Sequence, residues 1–493
     1  MPTQYHDFDI DAFNYEDSAG DERFSVRVQS EAGEQSIGRA ERVALPSTLR
    51  SRSWSLERRK LDLQEMIEVG EQLADLILPV AARRMLDLRR AMLKPGEGLR
   101  IRLKLDSYAL SDLPWEYLYI PGPDTPPDQR GPEGFLVLDR RVSLVRYETM
   151  GQPVVSLNPV GTGPLRLVTL LANPNKPPQY PGLNLEAERQ NIQAAMDEVP
   201  EIKVEFLPDG RIVDLERALR TGAHIFHFSG HGDFLSEMGA KFGTQEGKGA
   251  LVLIGEDGKP ELFPVDKLGP NLRGCNIRLA VFGACKTAQR DQYHAWTGVA
   301  PALNRAGIPA VVAMQYAIRD GNAVAFSRQF YSTLAAGETI DAAVTNGRLA
   351  IFNRSNLESE QYERDWGVPV LYLRTTGGAL FPKAEPEPEK PMGERRPPTR
   401  FTVDDARTSA VDRRALRDLM LSAFDIDGLE TLCWDAAALL EEAGIEPREP
   451  VSIEMVGGGS KSAIVKNLID YFAMRGYLDY LVQAVRNARP GRI

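Results

Sequence analysis

Runs of apolar residues divide the middle of the chain into strands and helices. Several near-continuous apolar runs of strand length are each followed by small or polar residues, as expected for parallel strands buried on both faces. Segments with helical spacing lie between them, and this alternation predicts an α/β fold with a mainly parallel sheet flanked by helices. The predicted strands are 164–172, 203–207, 223–228, 250–254, 277–282, 310–314 and 368–373, and the main helices are 186–199, 213–219, 298–306, 326–334 and 340–352.

The N-terminal third mixes other patterns. Residues 56–93 have helical spacing, and Pro79 is expected to end a first helix and precede a second. Residues 99–105 alternate apolar and basic side chains, which predicts a strand with one solvated face that carries Arg100, Arg102 and Lys104. A Leu-Pro-Trp-Glu element at 113–116 precedes two further predicted strands, 135–138 and 143–147.

Composition changes sharply near residue 381. Prolines and charges without apolar anchors predict an extended linker over 381–405. Apolar positions with helical spacing then recur to the end of the chain and predict a small all-α bundle over 406–493. The first part, 1–380, is expected to be one domain with an N-terminal half, 1–160, and a second half, 161–380.

Charge and cysteine content narrow the class of protein. The 493 residues have a formal net charge of −10, which argues against nucleic acid as a general partner. Three cysteines without regular spacing do not predict a disulfide framework, so we expect a reducing, cytoplasmic location. No apolar run has the length of a membrane span or of a signal peptide. No His/Cys cluster has metal-ligand spacing, so neither a metal nor a cofactor is expected.

Two of the predicted strands lead directly to reactive side chains. Strand 223–228 is followed by Ser-Gly-His-Gly, which contains His231, and strand 277–282 is followed by Gly-Ala-Cys, which contains Cys285. If the strands are neighbours, both residues lie at the carboxyl edge of the sheet, where ligands bind. Cys285 and His231 could then form an activated nucleophile and its base. The N–H groups of Gly232 and Cys285 could form an oxyanion hole, and the flanking glycines could provide a turn with positive φ.

Each residue also has a purely structural interpretation. A lone buried cysteine is usually a small apolar side chain, and a lone histidine is usually part of a core. Their joint position at two strand ends favours the catalytic interpretation. His224 and His227 lie on the strand itself and are interpreted as core residues. Cys275 and Cys433 have no glycine-rich partner loop and are interpreted as inert thiols.

The motifs around the two strand ends resemble those of the CHAT family of caspase-like cysteine peptidases. The resemblance extends back to the Leu-Pro-Trp-Glu element and implies that His231 is the general base and Cys285 the nucleophile. It also implies a protein substrate whose P1 residue enters a pocket formed by the loop at 315–320. We expect Asp320 and Gln315 to line this S1 pocket and Asp320 to favour a basic P1 residue, although Asp320 could equally cap the helix that follows.

Three stretches of the C-terminal segment, residues 421–433, 466–471 and 475–478, have apolar spacing and individual residues that resemble those of bacterial effector-associated, death-like domains. Such domains bind similar domains, which implies a homotypic partner or self-association and a role in prokaryotic defence or cell-death signalling. A generic helical packing domain is the alternative. For the whole chain, the favoured function is a recruited cysteine endopeptidase. The other two candidates are a catalytically silent CHAT scaffold and a non-peptidase cysteine hydrolase.

Overall fold

The structure is a computed structural model that divides into two compact units, Met1–Glu387 and Pro388–Ile493. The boundary lies within the predicted linker, of which residues 383–405 are outside the described part. The structure describes residues 3–30, 33–36, 42–122, 125–147, 157, 160, 163–177, 179–180, 182–207, 209–236, 247–283, 299–354, 364–375, 377–382, 413–442, 461–474 and 477–488.

The first unit is built on one large sheet. Within the described part of the chain, twelve strands form this sheet in the order β3-β2-β1-β5-β6-β15-β14-β13-β9-β7-β8, with β4 paired to β2, and β10-β11-β12 form a small second sheet. The strands are β1 Gln4–Ser18, β2 Asp21–Ser30, β3 Gly33–Ser36, β4 Val43–Ala44, β5 Glu97–Leu105, β6 Val142–Arg146, β7 Leu165–Leu171, β8 Ile202–Phe206, β9 Ile225–Ser229, β10 His231–Ser236, β11 Gly247–Ile254, β12 Pro260–Pro264, β13 Leu279–Gly283, β14 Ala310–Met314 and β15 Pro369–Leu373.

Helices flank the large sheet, and the predicted α/β class with a mainly parallel sheet is confirmed. From β1 to β8 across the sheet, every neighbouring pair is parallel except β14 and β15. The helices of this unit are α1 Ser47–Glu57, α2 Leu63–Ile77, α3 Val80–Met92, α4 Tyr108–Ser111, α5 Leu185–Met196, α6 Ile212–Arg220, α7 Val265–Gly274, α8 Asp320–Ala335 and α9 Ile340–Phe352; residues 299–305 are also helical.

The break in the N-terminal helical segment lies where the sequence predicts it. Helix α2 ends at Ile77 and α3 begins at Val80, directly after Pro79. The start of α2 is fixed by a capping box, in which the Asp62 side chain accepts from the Glu65 N–H and the Glu65 carboxylate accepts from the Asp62 N–H. This arrangement satisfies two backbone donors that the first turn of a helix otherwise leaves without partners.

The expectation that the basic face of β5 is solvated is wrong. Strand β1 pairs in parallel with β5 and places a row of aspartates beside its basic residues. Arg100 is 3% exposed and makes two hydrogen bonds, of 2.7 and 2.8 Å, to the fully buried Asp341 of α9. Arg102 is held by Asp9, and Lys104 lies 3.1 Å from Asp11. The residues form a strand as the alternation predicts, but the acidic partners of its basic side chains come from β1 and α9, which are distant in sequence.

The Leu-Pro-Trp-Glu element lies in the core beneath β6. Trp115 and Glu116 are fully buried, and the Glu116 carboxylate pairs with Arg146 of β6 at 2.8 Å. The predicted strand at 135–138 is wrong, because Leu136–Leu138 form a 3-10 turn. The Phe135 ring packs against the rings of Tyr119 and Trp366, and this local packing replaces a strand pairing.

The second unit consists of helices, as the apolar spacing predicts. They are α10 Arg413–Ala423, α11 Ile426–Glu442, α12 Lys461–Met474 and α13 Leu478–Ala488. Their apolar faces share one core that includes Leu432, Cys433, Phe472 and Leu481. Burial raises the pKa of the Cys433 thiol to about 12, which leaves almost no thiolate at neutral pH. In the sequence, Ser460 is a favourable N-cap residue and Gly476 a plausible helix stop, and both lie outside the described residues.

Candidate active site

The two strands that precede the motif residues are direct neighbours in the sheet. Strands β9 and β13 pair in parallel, and their last residues, Ser229 and Gly283, lie opposite each other. His231 and Cys285 each follow two residues after these paired positions. Cys285 and the loop that contains it, residues 284–298, lie outside the described residues. The sheet therefore brings the two strand ends together, and the distance between the two reactive side chains stays a prediction.

His231 lies in a buried position at the carboxyl edge of the large sheet. It begins β10, is 1% exposed, and lies opposite Val252 of β11. The Tyr180 ring packs beside the imidazole, with 5.6 Å between the ring centroids. The Tyr180 hydroxyl donates to Asp233, and burial, together with this hydrogen bond, raises the Tyr180 pKa. Tyr180 is therefore a neutral wall beside the predicted base.

The structure explains the glycine at position 230, directly before His231, in a different way from the sequence. Gly230 does not have the positive φ that the sequence suggested; instead, a Cβ atom there would lie 2.6 Å from the Phe228 ring and 3.0 Å from the Ala172 carbonyl oxygen. Close packing against Phe228 of β9 and against the Ala172 carbonyl, one residue beyond β7, therefore favours the glycine. Gly232 lies within β10 opposite Leu251, and its predicted part in an oxyanion hole stays a prediction.

A cavity of about 200 Å³ opens beside the two strand ends, between the sheet, α5 and α8. Since one water in the liquid takes about 30 Å³, this volume has room for a long side chain. Two acidic residues line it from different elements: Glu188 from α5 and Asp320 from the start of α8. Asp320 is exposed, whereas Glu188 is partly buried. The lining also includes His227, Gly283, Met314 and Tyr331.

A chain of hydrogen bonds runs along the sheet side of this cavity to Glu188. The Tyr331 hydroxyl lies 3.0 Å from His227 Nδ1, His227 Nε2 lies 3.2 Å from Ser229 Oγ, and Ser229 donates to Glu188 Oε1 at 3.2 Å. Burial lowers the His227 pKa to about 4, so the imidazole is neutral at pH 7. With Ser229 donating to Glu188, the matching tautomer carries its proton on Nε2 and accepts from Tyr331 at Nδ1.

Opposing effects act on the Glu188 carboxyl group. Burial and the nearby negative charge of Asp320 raise its pKa, while the hydrogen bond from Ser229 lowers it. Gly283 allows this arrangement, since a Cβ atom there would lie 2.9 Å from Ser229 Oγ and 3.6 Å from Glu188 Oε1. The glycine of the Gly-Ala-Cys motif thus leaves space at the wall of the cavity.

The loop before α8 is held by buried charged groups. Asp365 accepts hydrogen bonds from the Arg319 N–H, the Asn322 side chain and Arg59. Arg319 occupies the N-cap position of α8 and Asp320 is the first residue of the helix, so the backbone N–H at the cap is bound by Asp365. The first residue of α8 is therefore fixed in place beside the cavity.

Gln315 lies at the other end of the same loop and is 8% exposed. Its side-chain amide donates to the Glu116 carboxylate at 3.2 Å and to the Gly367 carbonyl oxygen at 3.0 Å. It does not contribute to the lining of the cavity that contains Asp320. The structure therefore brings Asp320 to the cavity and places Gln315 at the base of the loop. Their predicted roles in an S1 pocket stay predictions.

Sequence reasoning did not identify Glu188, Ser229 and His227 as parts of a common site. The acidic first turn of α5 was visible in the sequence but indicated only the start of a helix. Ser229 lies within the Ser-Gly-His-Gly motif, and its partner is 41 residues away. No local pattern reports a contact over that distance. Among the residues that the structure describes, no group of three or more His, Cys, Asp or Glu could hold a metal ion.

The chain has an α/β fold in which the two motif strands end side by side at the carboxyl edge of a mainly parallel sheet. A family model for the CHAT domain matches residues 68–374, more than half of the sequence, and the chain belongs to this family. A search of curated proteins found no match to the sequence. None of the described helices is long and apolar enough to cross a membrane.

Several solved structures show distant similarity to the chain. The Arg-specific cysteine proteinase gingipain R (RgpB) of Porphyromonas gingivalis is 11% identical, with a TM-score of 0.31, and the match covers 68% of this chain and 74% of that chain. Separase in the Saccharomyces cerevisiae separase–securin complex is 13% identical, with a TM-score of 0.29, over 59% of this chain and 16% of that one. The Drosophila initiator caspase Dronc is 9% identical, with a TM-score of 0.26, over 44% and 83%.

Proposed function

We propose that the protein is a cysteine endopeptidase in which Cys285 is the nucleophile and His231 the general base. The register of β9 and β13 carries this proposal. Ser229 and Gly283 are paired at the ends of neighbouring strands. His231 and Cys285 each follow two positions later in the sequence, so both come after strands that end at the same edge of the sheet. That edge is where ligands bind in open α/β sheets, and a substrate there has access to the adjacent cavity.

In the proposed reaction His231 accepts the thiol proton, and the Cys285 thiolate attacks the scissile carbonyl carbon. The new C–S bond gives a tetrahedral intermediate whose oxyanion would be bound by the N–H groups of Gly232 and Cys285. The C–N bond then breaks as His231 returns the proton to the leaving amine. Water hydrolyses the resulting thioester and regenerates the enzyme. A free thiol titrates near pH ~8.5, so the imidazole is needed to supply thiolate at neutral pH.

Asp320 is proposed to bind a basic P1 side chain. Its support is the position of Asp320 at the first turn of α8, exposed and at the lining of the cavity beside the strand ends. Gln315 would contribute by fixing the base of the same loop, since its amide is bound to Glu116 and to the Gly367 carbonyl. A carboxylate in a partly enclosed pocket favours a cation and rejects an acidic P1 residue.

A peptide library tests the peptidase function and this preference together. We expect wild type to cleave after Arg or Lys, and Asp320→Asn to lose about 10-fold or more in kcat/KM for basic P1 residues, because a hydrogen-bonded charge partner is removed. Asp257→Asn, an exposed acid on the turn between β11 and β12, is the matched control and should change nothing. A preference for acidic or apolar P1 residues, or an unchanged profile in Asp320→Asn, would contradict the assignment. Cleavage of esters but not of peptides would favour a non-peptidase hydrolase.

The helical unit is proposed to recruit the peptidase to a similar domain on another protein or on a second copy. Large apolar side chains on α11 support this use, since Trp434 is 61% exposed and Ile426 is 50% exposed. Exposed aromatic residues are frequent anchors of protein interfaces. Tethering would raise the local concentration of the peptidase without changing its active site. The proposed setting is prokaryotic defence or cell-death signalling in the cytoplasm.

Deletion of residues 401–493 tests this separation of roles. The truncated protein should retain peptide hydrolysis within about twofold, because the two units have separate cores. It should no longer associate with its partner or with itself in analytical ultracentrifugation. Trp434→Arg in the full chain should reproduce the loss of association, with the buried core of the helices intact. Loss of hydrolysis by a folded truncated protein would make the helical unit part of the catalytic machinery instead.

A further inference from the structure

Glu188 of α5 has no role in the reaction proposed above, yet its surroundings suit a ligand. Glu188 lines the same cavity as Asp320, from the opposite helix. A serine at the end of β9 donates to its Oε1 atom, and a neutral histidine and a tyrosine continue that chain. These groups fix the orientation of the carboxylate toward the end of β13. The second oxygen, Oε2, is the atom that would receive an N–H from a ligand.

The two carboxylates differ in position in a way that suits one class of ligand. Asp320 is exposed, whereas Glu188 is partly buried and accepts a hydrogen bond from Ser229 of β9. A cation bound between them would therefore contact one solvated and one partly buried carboxylate. Guanidinium is planar and has five N–H donors in a fixed fork, so it can bond to carboxylates on two sides at once. An ammonium group is a compact point charge that needs a more complete hydration shell.

We propose that Glu188 and Asp320 together form a two-carboxylate site for a guanidinium group, in which Glu188 is the residue that selects arginine over lysine. This proposal rests on the proposed function, because it identifies the cavity with the P1 site. Ser229 is a positioning residue that holds Glu188, and His227 in turn holds Ser229. The charge of Asp320 acts on Glu188, and a cation bound between the two carboxylates would relieve their mutual repulsion.

Binding of small amines to the full chain tests the site without requiring catalysis. The probes are agmatine, which has a guanidinium, and cadaverine, which has an ammonium, measured by isothermal titration calorimetry. We expect agmatine to bind more tightly than cadaverine to wild type. Glu188→Gln should weaken agmatine by about 10-fold or more, since a charge-assisted hydrogen bond is lost, and should reduce the preference over cadaverine to about twofold.

Glu186→Gln is the matched control. Glu186 lies in the same first turn of α5, is exposed, and bonds to Gln190 rather than lining the cavity. It should leave both affinities within twofold of wild type. Glu188→Asp keeps the charge but shortens the side chain by one methylene, so it should bind agmatine with intermediate affinity. Intermediate binding by this variant would show that the effect depends on the position of the carboxylate. Circular dichroism of each variant checks that the protein is folded.

The outcomes distinguish this site from the peptidase function. Unchanged agmatine binding in Glu188→Gln, an equal loss in Glu186→Gln, or no agmatine binding by wild type would each overturn the proposal. Selective agmatine binding that depends on Glu188, in a protein that cleaves no peptide, would support the guanidinium site and contradict the peptidase function. Peptide cleavage with equal kcat/KM for Arg and Lys at P1 would leave the function standing and overturn the role of Glu188.

Discussion

Cys285→Ala is expected to lower kcat/KM for peptide hydrolysis by about 10⁴-fold or more, with the fold unchanged. The thiolate is the atom that forms the covalent bond, and the alanine side chain offers no nucleophile in its place. His231→Ala and His231→Gln should each cause a similar loss, because the thiol then keeps its proton at neutral pH. The double variant should be no worse than either single variant, since residues that act as one unit give strongly non-additive losses.

Cys275→Ala provides the control for the removal of a thiol. Cys275 is half-buried at the end of α7 and outside the proposed site, so hydrolysis should stay within twofold of wild type. Covalent labelling with an arginyl chloromethyl ketone gives a second measurement: one label per chain at Cys285, reduced in His231→Gln. Full activity in Cys285→Ala would contradict the peptidase proposal. An unreactive Cys285 in wild type would favour a scaffold.

The positions of the central strands in the sequence could be predicted because their signals are local. Parallel strands buried on both faces appear as apolar runs, and β7, β9, β13 and β14 all do so. The Ser-Gly-His-Gly and Gly-Ala-Cys motifs each begin where a run ends. Ligand sites lie at the carboxyl ends of such strands. The pairing of β9 with β13 is the one further fact that is needed to locate the candidate site.

The features that sequence reasoning missed depend on contacts distant in the chain. Arg100 looked solvated because its alternation is that of an exposed face, but its partner Asp341 lies 241 residues away. Glu188 looked like a helix-start acid until its contact with Ser229 placed it at the cavity. The sequence suggests a turn with positive φ at Gly230, whereas close packing against Phe228 is what favours a glycine there. In each case the local sequence pattern is real, but a residue distant in the chain determines the environment of the side chain.

Glu116→Gln is expected to lower the free energy of unfolding by about 3–5 kcal/mol, because it leaves a buried cation without its partner. Glu116 is fully buried, and its two oxygens accept from Arg146 at 2.8 and 3.1 Å. Burial lowers the pKa of the neighbouring Arg348 to about 10, and the Glu116 charge opposes that shift. Gln has almost the same volume, so the loss reports the charge and not a cavity. Urea unfolding of the full chain, followed by tryptophan fluorescence, measures it.

Glu198→Gln is the matched control, since it removes the same charge from a pair with Arg328 at 3.1 Å in which both side chains are about half exposed. Its expected cost is below about 1 kcal/mol, because water already screens such a pair. An equal, small loss in the two variants would show that the buried pair does not stabilise the fold.

A double variant separates the two explanations for a large loss. If the cost in Glu116→Gln comes from the uncompensated guanidinium, then removing that guanidinium as well should recover part of the stability. Glu116→Gln/Arg146→Met should therefore lose less than the sum of the two single variants. Recovery should be incomplete, because Arg146 also donates to the carbonyl oxygens of Ser111 and Leu113, and those acceptors would lose their donor. Strictly additive losses would mean that Glu116 and Arg146 stabilise the core independently, each through its other contacts.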